Sequence, residues 1–281
     1  MKRLVILLAL VFCASAAMAV PNLAAYDWNL EYDFSDGLQG WTSVSGAGYW
    51  VNPATDPYGP MLPDNDVSGA GGGNVYTPDA SRFFMDLSAL QLKGRTGRGI
   101  AVTAKLYVPN LRPLSGFTWG YPGNALKSAG IQINQSGGKV AYIEGDNDHG
   151  GWVAKDTAWD NSSRRTTEWI LEETTSPDAL WWDDWVTVLY DYGYTTTDRW
   201  TAWVQVPWDT PMGDAGWYQC GTTDYQTSDR DILGVSIGGS SSWTQTQIDD
   251  VKIAYLIPEP GSLLALGTGL LGLVGMIRRR K

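Results

Sequence analysis

Fifteen tryptophans in 281 residues, many of them beside Asp, Asn and Gln, are the side chains of this sequence best equipped for chemistry. An indole face exposed next to polar groups can stack on the apolar C–H face of a sugar ring while amides and carboxylates bond the hydroxyls. The same ring turned inward is core, with an N–H that needs a partner. Trp119 and Tyr121, Trp152, Trp159, Trp181 and Trp182, and Trp217 and Tyr218 fall in loop-like sequence and are the stacking candidates. Trp181-Trp182 followed by Asp183-Asp184 is the strongest local pattern among them. Trp28, Trp169 and Trp200 lie on apolar strand faces and are expected in the core. Trp203 shares its face with Thr201 and Gln205, opposite Trp200, and joins the candidates.

Other chemistries find less support. Gly234-Val235-Ser236-Ile237-Gly238 matches the Gly-x-Ser-x-Gly pattern, but that nucleophile elbow needs a strand, a sharp turn and then a helix. Here Val235 and Ile237 alternate as in a strand, and the single histidine, His149, precedes the serine; an ordinary strand is expected. One His and two Cys cannot supply the usual nitrogen and sulfur ligands of a transition metal. Asp64-Asn65-Asp66 and Asp146-Asn147-Asp148 offer clustered oxygens, yet neither is followed by the twelfth-position Glu of an EF-hand loop, and both read as solvated turns. Asp249 shares the period-2 face of Val251, Ile253 and Tyr255, so its carboxylate is expected beside the core, where a charge must be paired or metal-bound. Glycoside hydrolysis needs only two carboxylates about 5 to 9.5 Å apart. Glu168, Glu172 and Glu173 do not present alternating acids on one face, and Trp169 between them reads as core, so a secreted glycosidase ranks behind a binding protein.

The elements that must position these residues are strands. Trp28, Leu30, Tyr32 and Phe34 alternate with polar residues, as do Val102, Ala104, Leu106 and Val108. Ile131 and Ile133 flank Gln132, and Gly137-Gly138 supplies a hairpin turn into Lys139 to Glu144. Further strands are expected at Thr166 to Glu172, Trp185 to Tyr192, Arg199 to Val206, Asp231 to Ile237 and Ile248 to Leu256. Asn52 to Asp79, with its Gly69 to Gly73 run, reads as one long loop. No sustained 3.6-residue period interrupts this pattern, so the body is expected to be an all-β sandwich or barrel.

Both ends fall outside that body. Met1-Lys2-Arg3, the apolar run Leu4 to Phe12 and the small-residue stretch to Ala19 have the parts of a signal peptide, so residues 1–19 are expected to be removed. Cys13 leaves with them, and Cys220 is then left without an intrachain disulfide partner. Residues 258–281 run from Pro258-Glu259-Pro260-Gly261-Ser262 through the apolar stretch Leu263 to Ile277 to Arg278-Arg279-Arg280-Lys281. As a helix, the 17 residues Gly261 to Ile277 would be about 25 Å long, a little short of a ~30 Å hydrocarbon layer, with the basic cluster staying cytoplasmic. Without both ends, residues 20–257 carry 14 basic and 29 acidic side chains, a net charge of −15 against −10 for the whole chain. Such a body does not suit nucleic acid, whose binding relies on clustered cations.

This three-part tail resembles the PEP-CTERM sorting signal of exported bacterial proteins, with Pro258, Glu259 and Pro260 in register. The resemblance implies an exosortase-type processing enzyme as partner, a membrane-anchored stage before processing, and a destination at the cell surface or in the exopolysaccharide matrix of a biofilm. Asp33-Phe34-Ser35-Asp36-Gly37-Leu38-Gln39-Gly40-Trp41 resembles the first strand of jelly-roll carbohydrate-binding and laminin-G-like (concanavalin-like) modules. Gln247 to Ile253 is similar to their last strand, and Asp86-Leu87-Ser88 before a strand and Asp184 to Val188 to their interior. That likeness implies a jelly roll of two antiparallel sheets over residues 20–257. It also implies a candidate structural Ca²⁺ held by Asp249 with Asp33, or Glu31 in its place; no cofactor is required. The resulting expectation is a non-enzymatic exported protein that binds polysaccharide through exposed aromatics. The alternatives are a structural matrix protein with no saccharide site and the glycosidase.

Overall fold

The computed structural model describes residues 20–52, 73–78, 81–95, 97–108, 129–146, 151–158, 164–165, 184–195, 199–206, 215–222, 227–239 and 245–257. Over these the backbone is almost wholly extended. The strands are β1 (Trp28–Tyr32), β2 (Thr42–Ser45), β3 (Tyr49–Val51), β4 (Asn74–Pro78), β5 (Arg82–Asp86), β6 (Ile100–Val108), β7 (Ala129–Gln135) and β8 (Lys139–Asp146). They continue with β9 (Gly151–Asp156), β10 (Arg164–Arg165), β11 (Asp184–Tyr192), β12 (Trp200–Val206), β13 (Gly216–Thr222), β14 (Ile232–Gly239) and β15 (Gln245–Tyr255). Single 3-10 turns at Leu23–Ala25 and Ser88–Leu90 are the helical segments among the described residues.

Every strand pair is antiparallel, and the strands form two sheets. One has the order β13-β12-β11-β6-β15-β4-β3, with β1 also beside β15; the other has the order β10-β9-β8-β7-β14-β5-β2. Period-2 alternation explains why they pack as a sandwich. Ile100, Val102, Ala104 and Leu106 of β6, Val186, Val188, Tyr190 and Tyr192 of β11, and Trp200, Ala202 and Val204 of β12 point to one side of the first sheet. They meet Phe83, Ile131, Ile133, Ala141, Ile143, Trp152, Val235 and Ile237 of the second sheet in one buried cluster. Each large side chain fully buried there contributes about 1.5–3 kcal/mol relative to exposure. A hydrogen-bonded carboxylate sits inside this core. Asp156 accepts from Tyr192 Oη at 2.7 Å, from Ala158 N at 2.9 Å and from Gln135 Nε2 at 3.3 Å, joining β9 and β7 to β11 across the sheets.

The β7–β8 hairpin turns at Gly137 and Gly138, whose φ values of 75° and 67° are those glycine adopts without strain. The expected strands over 102–108, 131–144, 185–192, 199–206, 231–237 and 248–256 are present with small changes of boundary. The expected strand at Thr166 to Glu172, the signal peptide, the sorting segment with its apolar stretch, His149, and both Asp-Asn-Asp motifs in whole or part lie outside the described residues. Among the described residues, no helix is long and apolar enough to cross a membrane.

Three expectations are corrected. The segment read as one loop from Asn52 to Asp79 ends in β4, whose Asn74, Val75 and Thr77 are buried against β15. Asp33 to Trp41 is not a strand: β1 stops at Tyr32 and the chain turns, dropping Phe34 and Trp41 into the core. Phe34 (φ 49°) is held there by bonds from its own N–H to Gln39 Oε1 (3.1 Å) and from Trp50 Nε1 to its carbonyl (2.7 Å). Asp86-Leu87-Ser88 closes β5 and enters a 3-10 turn, with Asp86 accepting from Ser88 N, instead of preceding a strand.

Candidate functional site

The outer face of the first sheet, away from the sandwich core, carries a second apolar cluster. Leu189 of β11, Ala101 of β6 and Ala254 of β15 form its floor, with Trp203 of β12 and Tyr26 buried upon them. Trp28, Tyr194 and Trp217 pack around these as half-buried rings. Strand register explains the grouping. Trp203 lies opposite Leu189 on one side and Gln219 on the other, and Gln205 lies between Thr187 and Trp217. The aromatic strip is therefore bordered by the exposed amide of Gln205 and the half-buried Gln219 and Thr187.

The strip is closed at one end by the N-terminal segment. Tyr26 stacks on Trp28 (centroids 5.1 Å, 26°) and tilts against Tyr194 (5.5 Å), while Asp27 N donates to Tyr194 Oη at 2.9 Å. Beneath them Asp191 is fully buried. Its carboxylate accepts from Tyr26 Oη (3.1 Å), Tyr194 N (2.8 Å), Thr195 N (3.1 Å) and the Thr195 hydroxyl. Burial raises the Asp191 pKa above the usual aspartate range, opposed by these donated bonds, and burial together with the Asp191 charge raises Tyr26. The constellation is an aromatic surface fixed by a buried acid. Asp191 is covered by Tyr26, so the group on offer to a ligand is the ring surface and its amide border.

The expected site residues divide accordingly. Trp203 is on the outer face as the alternation indicated, but only 7% exposed, so little of it is open to a ligand. Trp217 is on the same face and more open. Tyr218 is 7% exposed and points the other way, into the core, as register with Val204 dictates. Trp152 belongs to strand β9 and not to a loop; at 1% exposure it is a core ring that cannot stack on a ligand. Trp119, Tyr121, Trp159, Trp181 and Trp182 lie outside the described residues, as does Trp169. Trp200 is core as expected, stacked on Tyr190 at 5.5 Å and 17°. Trp28 is not: two residues of β1 match one step of β15 between Trp28↔Ala254 and Leu30↔Ile253, and this bulge turns Trp28 to the outer face while Leu30 and Tyr32 stay on the core side.

The carboxylates proposed for calcium each have a partner of their own. Glu31 pairs with Lys252 at 2.6 Å. Exposed Asp33 closes its own turn, accepting from Ser35 N, Ser35 Oγ and Gln39 Nε2, and those bonds hold its pKa below the usual range. Asp249 is buried, sits opposite Lys105 in register and accepts from Asp250 N at 2.7 Å. A second bulge, with Asp250 at φ 47°, breaks the alternation that had placed Asp249 with Val251. Among the described residues no group of three or more His, Cys, Asp or Glu side chains could hold a metal ion. Gly234 to Gly238 lies within β14, so the Gly-x-Ser-x-Gly match is a strand, with Ser236 bonded to Asn134 Nδ2 at 2.7 Å.

Tyr26, Leu189, Asp191 and Tyr194 went unassigned to the site in the sequence. Leu189 and Asp191 are out of phase with Val188, Tyr190 and Tyr192, and that phase was the available signal.

Residues 256–281 match the PEP-CTERM protein-sorting motif, which contains Pro258, Glu259 and Pro260. No curated protein matches the chain. Among solved structures it is similar to the cellulose induced protein Cip1 (14% identity, 80% of this chain and 97% of that one, TM-score 0.42). It is also similar to the CBM22-1 xylan-binding domain from Paenibacillus barcinonensis Xyn10C (12%, 86% and 100%, 0.33) and to a protein of unknown function from Shewanella oneidensis MR-1 (14%, 87% and 92%, 0.42).

Proposed function

We propose that this chain is an exported protein, anchored by its C-terminal segment and sorted by an exosortase-type enzyme to the cell surface or matrix, whose jelly-roll body binds polysaccharide. The sorting half of the reading is supported by the PEP-CTERM motif over residues 256–281. The binding half rests on one observation, the aromatic strip on the outer face of the first sheet, where Trp217 and the mostly buried Trp203 lie beside Gln205 and Gln219. Stacking needs a sugar whose C–H bonds line one face of the ring, and the neighbouring amides would bond its hydroxyls. The net charge of −15 on the body favours an uncharged polysaccharide over an acidic one. The Trp181-Trp182 pair stays a second candidate on the sequence pattern alone.

The test is co-sedimentation of the full chain with insoluble neutral β-linked polysaccharides, comparing the unaltered protein with Trp217→Ala. The expected result is saturable binding that weakens roughly tenfold in the variant, about 1.4 kcal/mol. Absence of binding by the unaltered chain would favour the purely structural matrix protein. Release of new reducing ends would instead establish a glycosidase.

A further inference from the structure

The register of β1 on β15 places the two ends of the body together: Trp28, at the start of β1, lies opposite Ala254, one residue before the end of β15. Around them stand the start of β6, where Leu256 N donates to Gly99 O at 3.0 Å, and the end of β11, where Asp27 N reaches Tyr194. Only Leu256 and Ile257 separate β15 from Pro258. The five residues Pro258 to Ser262 then precede the apolar stretch, so Ile257 can stand no more than roughly 20 Å from it even if they are fully extended.

Two features mark this end of the sandwich. Of the six exposed large apolar side chains among the described residues, Ile257 and, in the segment leading to Tyr26, Val20 and Leu23 belong to it, while Val44, Tyr49 and Leu233 lie on β2, β3 and β14. The same end gathers five of the fourteen basic residues of the body, beside the exposed Asp27, Asp229 and Asp231. Lys93, Arg95 and Arg98 lie ahead of β6, Arg199 ahead of β12, and Arg230 ahead of β14, where it donates to Ser136 O; Lys93 bridges to Asp231 at 3.5 Å.

We propose that this end is a membrane-docking surface. Before processing, the body sits on the bilayer through it, with Val20, Leu23 and Ile257 in the interfacial layer and the arginines against anionic headgroups. Opposite charges within about a Debye length of the surface attract, while the acidic remainder of the body is repelled, so the two effects select one orientation. The short tether keeps the surface within reach of the lipid. The inference uses the sorting motif but not the saccharide reading.

The chain from Val20 onward in a Cys220→Ser background, reconstituted in vesicles of phosphatidylethanolamine and phosphatidylglycerol, tests it. Single cysteines at Ala24→Cys, Val44→Cys and Ile257→Cys would carry a fluorophore, with a quencher attached to lipid headgroups. Val44 is exposed like Ile257 but lies at the other end, on the edge strand β2. Quenching is expected at positions 24 and 257 and not at 44. At position 24 it should fall by at least half in Arg98→Glu/Arg230→Glu, in Leu23→Ser, or when phosphatidylglycerol is replaced by phosphatidylcholine. Quenching confined to position 257 would mean a body swinging freely on its tether, and equal quenching at 44 a body lying on its side; either overturns the proposal.

Discussion

Two buried aspartates should make the protein's stability depend on pH. Asp156 and Asp191 both have pKa values raised by burial, so the folded state holds their protons more tightly than the unfolded chain does. Their contribution is therefore largest below the ordinary aspartate range near pH 4 and declines as pH rises through the raised values. Asp33 and Asp86 act in the opposite sense, since donated bonds lower their pKa values, but both are solvent-facing and count for little. Melting temperature measured from about pH 4 to 7 is expected to fall less in Asp156→Asn than in the unaltered protein. An identical slope would remove Asp156 as the cause. The tryptophans separate by the same kind of measurement: Trp152→Ala empties core volume and should cost about 3–5 kcal/mol. Trp217→Ala, half-exposed, should cost far less stability and act on ligand affinity instead.

Elements built on simple alternation were legible. β6, β11 and β12 present their apolar residues inward as the sequence pattern indicates, and Gly137-Gly138 marks its turn because two consecutive positive φ values leave few other residues suitable. What escaped was wherever alternation is interrupted. The bulges at Trp28/Leu30 and at Asp249/Asp250 each shift side chains to another face, and one residue of slip is invisible in a pattern of period two. β4 escaped for another reason: its Asn74 and Pro78 lack strand propensity, and buried Asn74 is paired by Gln247 Nε2 of β15, which donates to it at 2.8 Å. The glycine just before β4 is equally dictated by its neighbours. A Cβ on Gly73 would fall on the Phe34 carbonyl oxygen and the Trp50 indole nitrogen, so Gly73→Ala should force that turn apart. A loss of roughly 1–3 kcal/mol in denaturant unfolding is expected, with unchanged stability counting against the packing described.

At the scale of the whole molecule, the candidate site belongs to no local segment. Its rings come from residues 26–28, from Tyr194 just after β11, and from β12 and β13, which become neighbours only because β1 and β11 meet the same outer face through β15 and β6. Sequence could nominate Trp203 and Trp217 one at a time but could not join them to Trp28 and Tyr26. The prediction belonging here is one of coupling: Asp191→Asn should loosen Tyr26 and the N-terminal segment together, read as faster hydrogen exchange over residues 20–28 with the β7–β8 hairpin unaffected. Uniform acceleration across the body would show instead that Asp191 is merely one more stabilising residue.

The position of the last two strands carries a kinetic consequence. β14 lies between β7 and β5, and β15 joins β6 to β4 and β1, so each sheet is bridged by a strand from the final quarter of the body. Until residue 239 is available in the second sheet and residue 255 in the first, the earlier strands form fragments on either side of a gap. Folding must then wait for contacts of very long sequence separation, which makes it slow, and a chain crossing a membrane from its N-terminus stays unfinished until its end arrives. The strand that completes the fold ends three residues before Pro258, so closure of the body and presentation of the sorting motif become neighbouring events in time as well as in sequence.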